Sequence, residues 1–197
     1  MEKNYNHLEI EKKWQLEWES KGIYKALDNV KGKKNYYALT MFPYPSGDLH
    51  MGHWYAFAPA DAHARFMRME GYNVMHPQGF DSFGLPAENA AIERGADAKE
   101  WTYKNIDSMR EQLKSLGLAI DWDREFATCD HDYIKHQQTI FIDFLKNDLV
   151  YRKESEVNWD PVEETVLANE QVEDGKGWRS GANVERKKLS QWIFILN

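Results

Sequence analysis

The 197-residue sequence holds one cysteine, Cys129, so no disulfide can form within the chain, a usage that fits a reducing, cytoplasmic setting. No apolar run approaches the roughly 18 residues of a membrane span, which speaks against a membrane partner. The opening MEKNYNHLEIEKKWQLEWESKG carries acids and no apolar core of signal-peptide length, so secretion is not expected. Basic charge is in deficit: 25 Lys and Arg stand against 32 Asp and Glu, a formal net charge of −7. A chain whose whole surface lay on nucleic acid would show a basic footprint, so any such contact is expected through one local patch. Internal repeats and low-complexity segments are also missing. What remains is a globular composition, 42% apolar and 14% aromatic, in a length that suits one core with an appendage.

The first segment places Ile10, Trp14 and Trp18 at helical spacing and stops at Gly22. NYYALTMF, residues 35–42, reads as a buried strand closed by Pro43. A turn rich in proline and glycine follows, and then HMGHWYAFAPADAHARFMRMEG reads as a helix that Pro59 should kink or split. YNVMHPQGF, residues 72–80, is a second strand leading into the turn GFDSFGLPAE. Strand, helix and strand in that order predict a βαβ unit with parallel strands, and hence an α/β fold. Two amphipathic helices come next, one with Ile106, Met109, Leu113 and Leu116 on one face, the other with Ile134, Phe141, Phe144 and Leu145 inward. After Tyr151 the chain becomes acidic and turn-rich, and residues 154–181 read as a small module of short strands.

His50 and His53 stand three residues apart just after the turn, and three readings of the pair are open. They are incidental polar residues at a helix start; or they are metal ligands sharing a helical face, although His63 and His76 lack ligand spacing; or they belong to an anion site. A strand that passes through a tight turn into a helix offers backbone N–H groups and a positive dipole end to a phosphate. Gly52 leaves the backbone open to close approach, and two imidazoles can donate hydrogen bonds as charge builds on phosphate oxygens. Such a site suits nucleotidyl transfer.

HMGH resembles the HIGH motif of the class I aminoacyl-tRNA synthetases, and the surrounding sequence is similar to their leucyl branch of bacterial and organellar type. MFPYPSGDLHMGH resembles that branch's first active-site segment and GYNVMHPQGFDSFGLPAENAAI its second. VNWDP, TVLANEQV, WR, VERKKL and QW match further on in order. The resemblance implies a Rossmann-like parallel sheet, the first half of a class I catalytic domain, over residues 1–152. It implies the start of a connective insertion over 153–197, a zinc-knuckle-like module. The implied activity is formation of leucyl-adenylate from leucine and ATP (with Mg2+), followed by transfer to tRNA(Leu).

By the same resemblance Pro43, Tyr44, Pro45, Ser46, Gly47, Asp48, Leu49, His50, Met51, Gly52 and His53 bind ATP, with His50 and His53 catalytic. Met41, Phe42, Tyr44 and Asp81 bind leucine, Asp81 through the α-ammonium. Apolar walls with one polar anchor are what a branched alkyl substrate requires. Because a pocket discriminates one methylene by only about 1–3 kcal/mol, relatives add an editing domain within the insertion. Two departures shape the expectations. The positions of the family's zinc ligands read Asp160, Glu163, Gly177 and Ser180, so no zinc is expected and the module should be held by packing alone. The second ATP motif, KMSKS, is missing, so the chain is expected to be the first part of a longer synthetase, weakly active at best by itself. Two alternatives stand beside this reading: another Rossmann-type nucleotidyltransferase, or a non-catalytic synthetase remnant.

Overall fold

A computed structural model describes residues 5–195. The chain divides into two compact units, Met1–Ile134 and Lys135–Asn197. In the first, α1 (His7–Lys21) is followed by β1 (Asn35–Tyr37), α2 (Met51–Met69), β2 (Asn73–Met75) and β3 (Gly79–Phe80). Then come α3 (Leu85–Glu93), α4 (Ala98–Ser115), β4 (Phe126–Ala127) and the start of α5 (His131–Lys146).

The strands are short but their ladders extend past them. β1 pairs with β2 in parallel, Tyr36 opposite Val74, and β3 pairs with β4 in parallel, Gly79 opposite Phe126. Beyond these pairs Ala38 N donates to Met75 O at 2.9 Å and Asp81 N to Pro43 O at 3.0 Å. On the opposite edge Asp121 N donates to His76 O at 2.9 Å and Thr128 N to Phe80 O at 2.9 Å. The segment from Asn73 to Asp81 therefore runs between 35–43 and 121–128, and β1–α2–β2 is the expected parallel βαβ unit. The two expected long strands are each cut short. Regular pairing of the first ends at Tyr37, and the second is interrupted between Met75 and Gly79, where Pro77 has no N–H to give to a ladder.

α2 runs unbroken through Pro59, against the expected split. The carbonyl that Pro59 leaves unpaired belongs to Tyr55, and both residues are exposed, so water satisfies it. One buried cluster joins Phe57 of α2, Phe80 of β3, Ile106, Met109 and Leu113 of α4, and Leu118, Ile120 and Ala127, with Leu49 packed against it. A smaller one joins Ala38, Ala64 and Val74. Two expectations about helix faces, those for α4 and α5, are corrected, while α1 forms and stops at Gly22 as expected. Leu116 is exposed, because α4 ends at Ser115 and the chain turns away at Gly117. α1 buries none of its residues; Trp18 instead lies edge-on to Tyr24 with the Arg65 guanidinium over its ring. α5 likewise buries no residue, and Phe144 and Leu145 are exposed.

The second unit is a three-stranded antiparallel sheet with β5 (Val150–Asp160) between β6 (Thr165–Leu167) and β9 (Glu185–Phe194). A small hairpin, β7 (Val172–Glu173) and β8 (Lys176–Gly177), completes it. Phe141 packs edge-on against Trp192 and Phe194, which groups the second half of α5 with the sheet. The boundary of compactness therefore falls at residue 134, ahead of the change in composition near residue 152.

The module is not held by packing alone. Asp160 is fully buried; its Oδ1 accepts from Val162 N and Glu163 N at 2.9 and 3.0 Å, and its Oδ2 accepts from the Ser180 hydroxyl. Ser180 Oγ in turn accepts from Ala182 N. Burial by itself would raise the Asp160 pKa, but these donors outweigh it and hold the carboxylate ionised. A Cβ at Gly177 would lie 2.3 Å from Asp160 Oδ2. Glu163 pairs with Arg179 at 3.6 Å. The four positions expected to lack zinc ligands thus gather around one buried carboxylate.

Candidate active site

Backbone chemistry brings the site together. Pro43 and Pro45 are buried, with Ser46 N bonded back to Tyr44 O at 2.9 Å, so the chain leaves the sheet through a rigid turn. The turn ends at His50, which adopts extended backbone angles (φ −132°, ψ 174°) and caps α2. The two histidines cap each other: Gly52 N donates to His50 Nδ1 and His50 N donates to His53 Nδ1, both at 3.1 Å. The ring centroids are 4.0 Å apart.

This exchange decides the tautomers. A backbone N–H can donate only to an unprotonated nitrogen, so each neutral ring carries its proton on Nε2. Neither Nε2–H is bonded to another described residue. Partial burial and the neighbouring His50 push the His53 pKa below its ordinary value, which keeps that ring neutral at pH 7. Two oriented donors therefore stand at the positive end of a 19-residue helix.

Gly52 has a different reason from the one expected. A Cβ there would lie 2.8 Å from His50 Cε1, so the space over Gly52 is taken by the His50 ring itself. Asp81 is brought to the turn by its own N–H on Pro43 O, and its half-buried carboxylate makes no hydrogen bond to a described residue. Phe42 lies against Gly79, where a Cβ would come within 2.9 Å of its ring, and meets Phe126 edge-on at 5.0 Å. Met41 and Tyr44 are exposed. Phe42, Pro43 and Asp81 are thus joined across the sheet.

His63 and His76 do not complete a metal set with the pair. His63 lies edge-on to Tyr36, and His76 is buried with Nδ1 on Ala119 O at 3.2 Å, its pKa lowered by that burial. Some contributors carried no signal in the sequence: Phe126 and Tyr133, stacked behind Phe42, and Gln112 and Ser108 of α4, which reach the turn at Asp48. For Gln112 the only hint is a polar residue one step from the apolar stripe.

A strand, a rigid turn and a histidine-capped helix on a parallel sheet define the class. The family model described as tRNA synthetases class I (I, L, M and V) matches residues 13–192, and the chain belongs to that family. Within it, the chain is similar to leucine–tRNA ligases. It is 58% identical over 190 residues to that of Rhizobium etli strain CFN 42, covering 96% of this chain and 22% of that protein. It is 57% identical over 197 residues to that of Parvibaculum lavamentivorans DS-1, covering all of this chain and 23% of that protein. The chain therefore spans about a fifth of the length of the curated relatives it matches.

Among solved structures, the Agrobacterium radiobacter K84 LeuRS in ternary complex with tRNA and LeuAMS superposes with a TM-score of 0.88 at 46% identity. That match covers 97% of this chain and 25% of the other. Mycobacterium tuberculosis methionyl-tRNA synthetase in complex with methionyl-adenylate gives a TM-score of 0.67 at 25% identity, over 82% of this chain and 32% of that one. The architecture is that of the class I catalytic core: Rossmann-like α/β with a small β module.

Proposed function

We propose that this chain forms the HIGH-type ATP site and part of the leucine pocket of a leucine–tRNA ligase. The whole enzyme makes leucyl-adenylate from leucine and ATP, entering as its Mg2+ complex, and passes the leucyl group to tRNA(Leu). The observation that carries the reading is the reciprocal histidine cap, which leaves two Nε2–H donors without a partner among the described residues, at the end of a turn whose start, Pro43, is bonded to Asp81 N.

In this reading a carboxylate oxygen of leucine attacks the α-phosphorus of ATP, the bond to the bridging oxygen breaks, and pyrophosphate leaves with that electron pair. A carboxylate is already ionised at neutral pH, so no base is needed. His50 and His53 donate from Nε2 to α-phosphate oxygens as they gain charge, and residues 43–53 surround the nucleotide. Asp81 holds the leucine ammonium while Met41, Phe42 and Tyr44 wall its side chain. The terminal adenosine hydroxyl of the tRNA then attacks the leucyl carbonyl and AMP departs. The module works without zinc, since both oxygens of Asp160 are engaged by amides and a hydroxyl. A cytoplasmic location follows from the activity and from the single cysteine. Among the described residues, no helix is long and apolar enough to cross a membrane.

Titration calorimetry of the 197-residue chain with a non-hydrolysable leucyl-adenylate analogue tests this. Binding that is lost on Asp81→Ala is expected; no heat from the wild-type chain would overturn the reading. Leucine-dependent exchange of pyrophosphate into ATP by this chain alone is expected to be weak.

A further inference from the structure

The turn that carries the site is fastened to a helix that none of the motifs includes. Gln112 lies on α4, and its one amide makes two bonds to consecutive residues of the turn. Its Oε1 accepts from Leu49 N at 2.8 Å, and its Nε2 donates to Asp48 Oδ1 at 2.8 Å. Ser108, one helical turn earlier, donates to the same carboxylate oxygen at 3.3 Å. We propose that Gln112, backed by Ser108, is a positioning residue for adenylate formation, setting the place at which His50 and His53 begin α2. The inference rests on the adenylate site proposed above.

The connection is short and stiff. Leu49 N is held by Gln112, the next amide, His50 N, by His53, and Gly52 N by His50. Three amides, those of Leu49, His50 and Gly52, therefore have a side-chain partner where the turn enters α2. α4 is anchored in the core, with Ile106, Met109 and Leu113 at most 2% exposed, and Leu49 packs on the same cluster as Phe57 of α2. Without Gln112, the end of the turn nearest α2 would keep only the longer bond from Ser108 to Asp48 and the packing of Leu49, while the bond from Asp81 N to Pro43 O holds the far end. Donors aimed at developing charge lose their effect when misplaced by about 1 Å, so this tie bears on chemistry and not only on stability. Asp48, expected at the ATP by resemblance, has its Oδ1 bonded to α4.

The test uses Gln112→Leu in the 197-residue chain, read by amide exchange at Leu49, by imidazole 15N shifts of His50 and His53, and by calorimetry with the leucyl-adenylate analogue. Leu49 exchange is expected to speed up about tenfold, the 15N shifts to leave the fixed Nε2–H pattern, and the analogue Kd to rise about tenfold, the scale of one lost hydrogen bond. A charge swap, Gln112→Glu with Asp48→Asn, keeps an acceptor for Leu49 N and reverses the donor and acceptor at position 48, so it should recover most of the loss. Equal affinity in wild type and Gln112→Leu would overturn the positioning role and leave the adenylate site standing. No binding by the wild type would overturn both. If Gln112→Leu fails to fold, the swapped pair decides: Leu49 protection recovered without affinity refutes the proposal.

Discussion

Gly52 sits beneath the imidazole of His50, and any larger residue there competes with the ring that caps α2. Gly52→Ala puts a methyl group 2.8 Å from His50 Cε1, so the ring must leave Gly52 N and the cap opens. The cost to stability is expected to be about 1 kcal/mol, as for loss of an N-cap. The effect on the site is larger, because the Nε2–H donor swings with the ring. Calorimetry should show a Kd for the leucyl-adenylate analogue at least about tenfold weaker, while the melting temperature moves by only a few degrees. The whole stretch from Tyr36 to His53, with its resemblance to a family segment, was needed to suggest nucleotidyl chemistry, since HMGH by itself left three readings open. The residue types could not show that the histidines hold each other, since that depends on the backbone angles at His50.

At the scale of elements, α2 and the segment just after β2 each carry a histidine whose neutral form the fold prefers. Partial burial lowers the pKa of His53, and deeper burial lowers that of His76. Both folded values lie below the unfolded value of about 6.5, so the unfolded chain binds more protons there. The stability these groups contribute is fully present above pH 6.5 and is lost as pH falls through their folded values. The melting temperature should therefore drop between pH 7.5 and 5, followed by circular dichroism, and the cap should loosen in the same window. A flat profile would contradict the assignment of both rings as neutral. Helix α4 was legible from the spacing of Ile106, Met109 and Leu113, and all three are buried. Its polar edge was not, because the partner of Gln112 lies more than sixty residues away in the chain. Pro59 misled in the opposite direction, since only its exposure shows that the missing bond costs little.

At the scale of the whole molecule, the two compact units have separate supports. The first depends on the apolar cluster around Phe80 and Leu113. The second depends on Asp160, which ties the end of β5 to the turn after it and to Ser180. Asp160→Ala leaves two amides and a hydroxyl without their acceptor in a partly buried setting, at a cost of about 1–3 kcal/mol in all. Hydrogen exchange on the full chain should show β5, β6 and β9 losing protection by tenfold or more while α2 and α4 keep theirs. Loss of protection in both units together would show that they unfold as one.

By itself the sequence determined the class of fold, the strand–turn–helix at residues 36–53 and the absence of cysteine and histidine after Asn158, because each is written in local spacing or in the identity of single side chains. Only the tertiary structure decided what occupies the space over Gly52, what holds the turn to α4, and how Asp160 takes the centre of the β module. The first depends on the backbone angles at His50, the second on contacts between residues more than sixty apart in the chain, and the third on a turn that folds Val162, Glu163 and Ser180 onto one carboxylate.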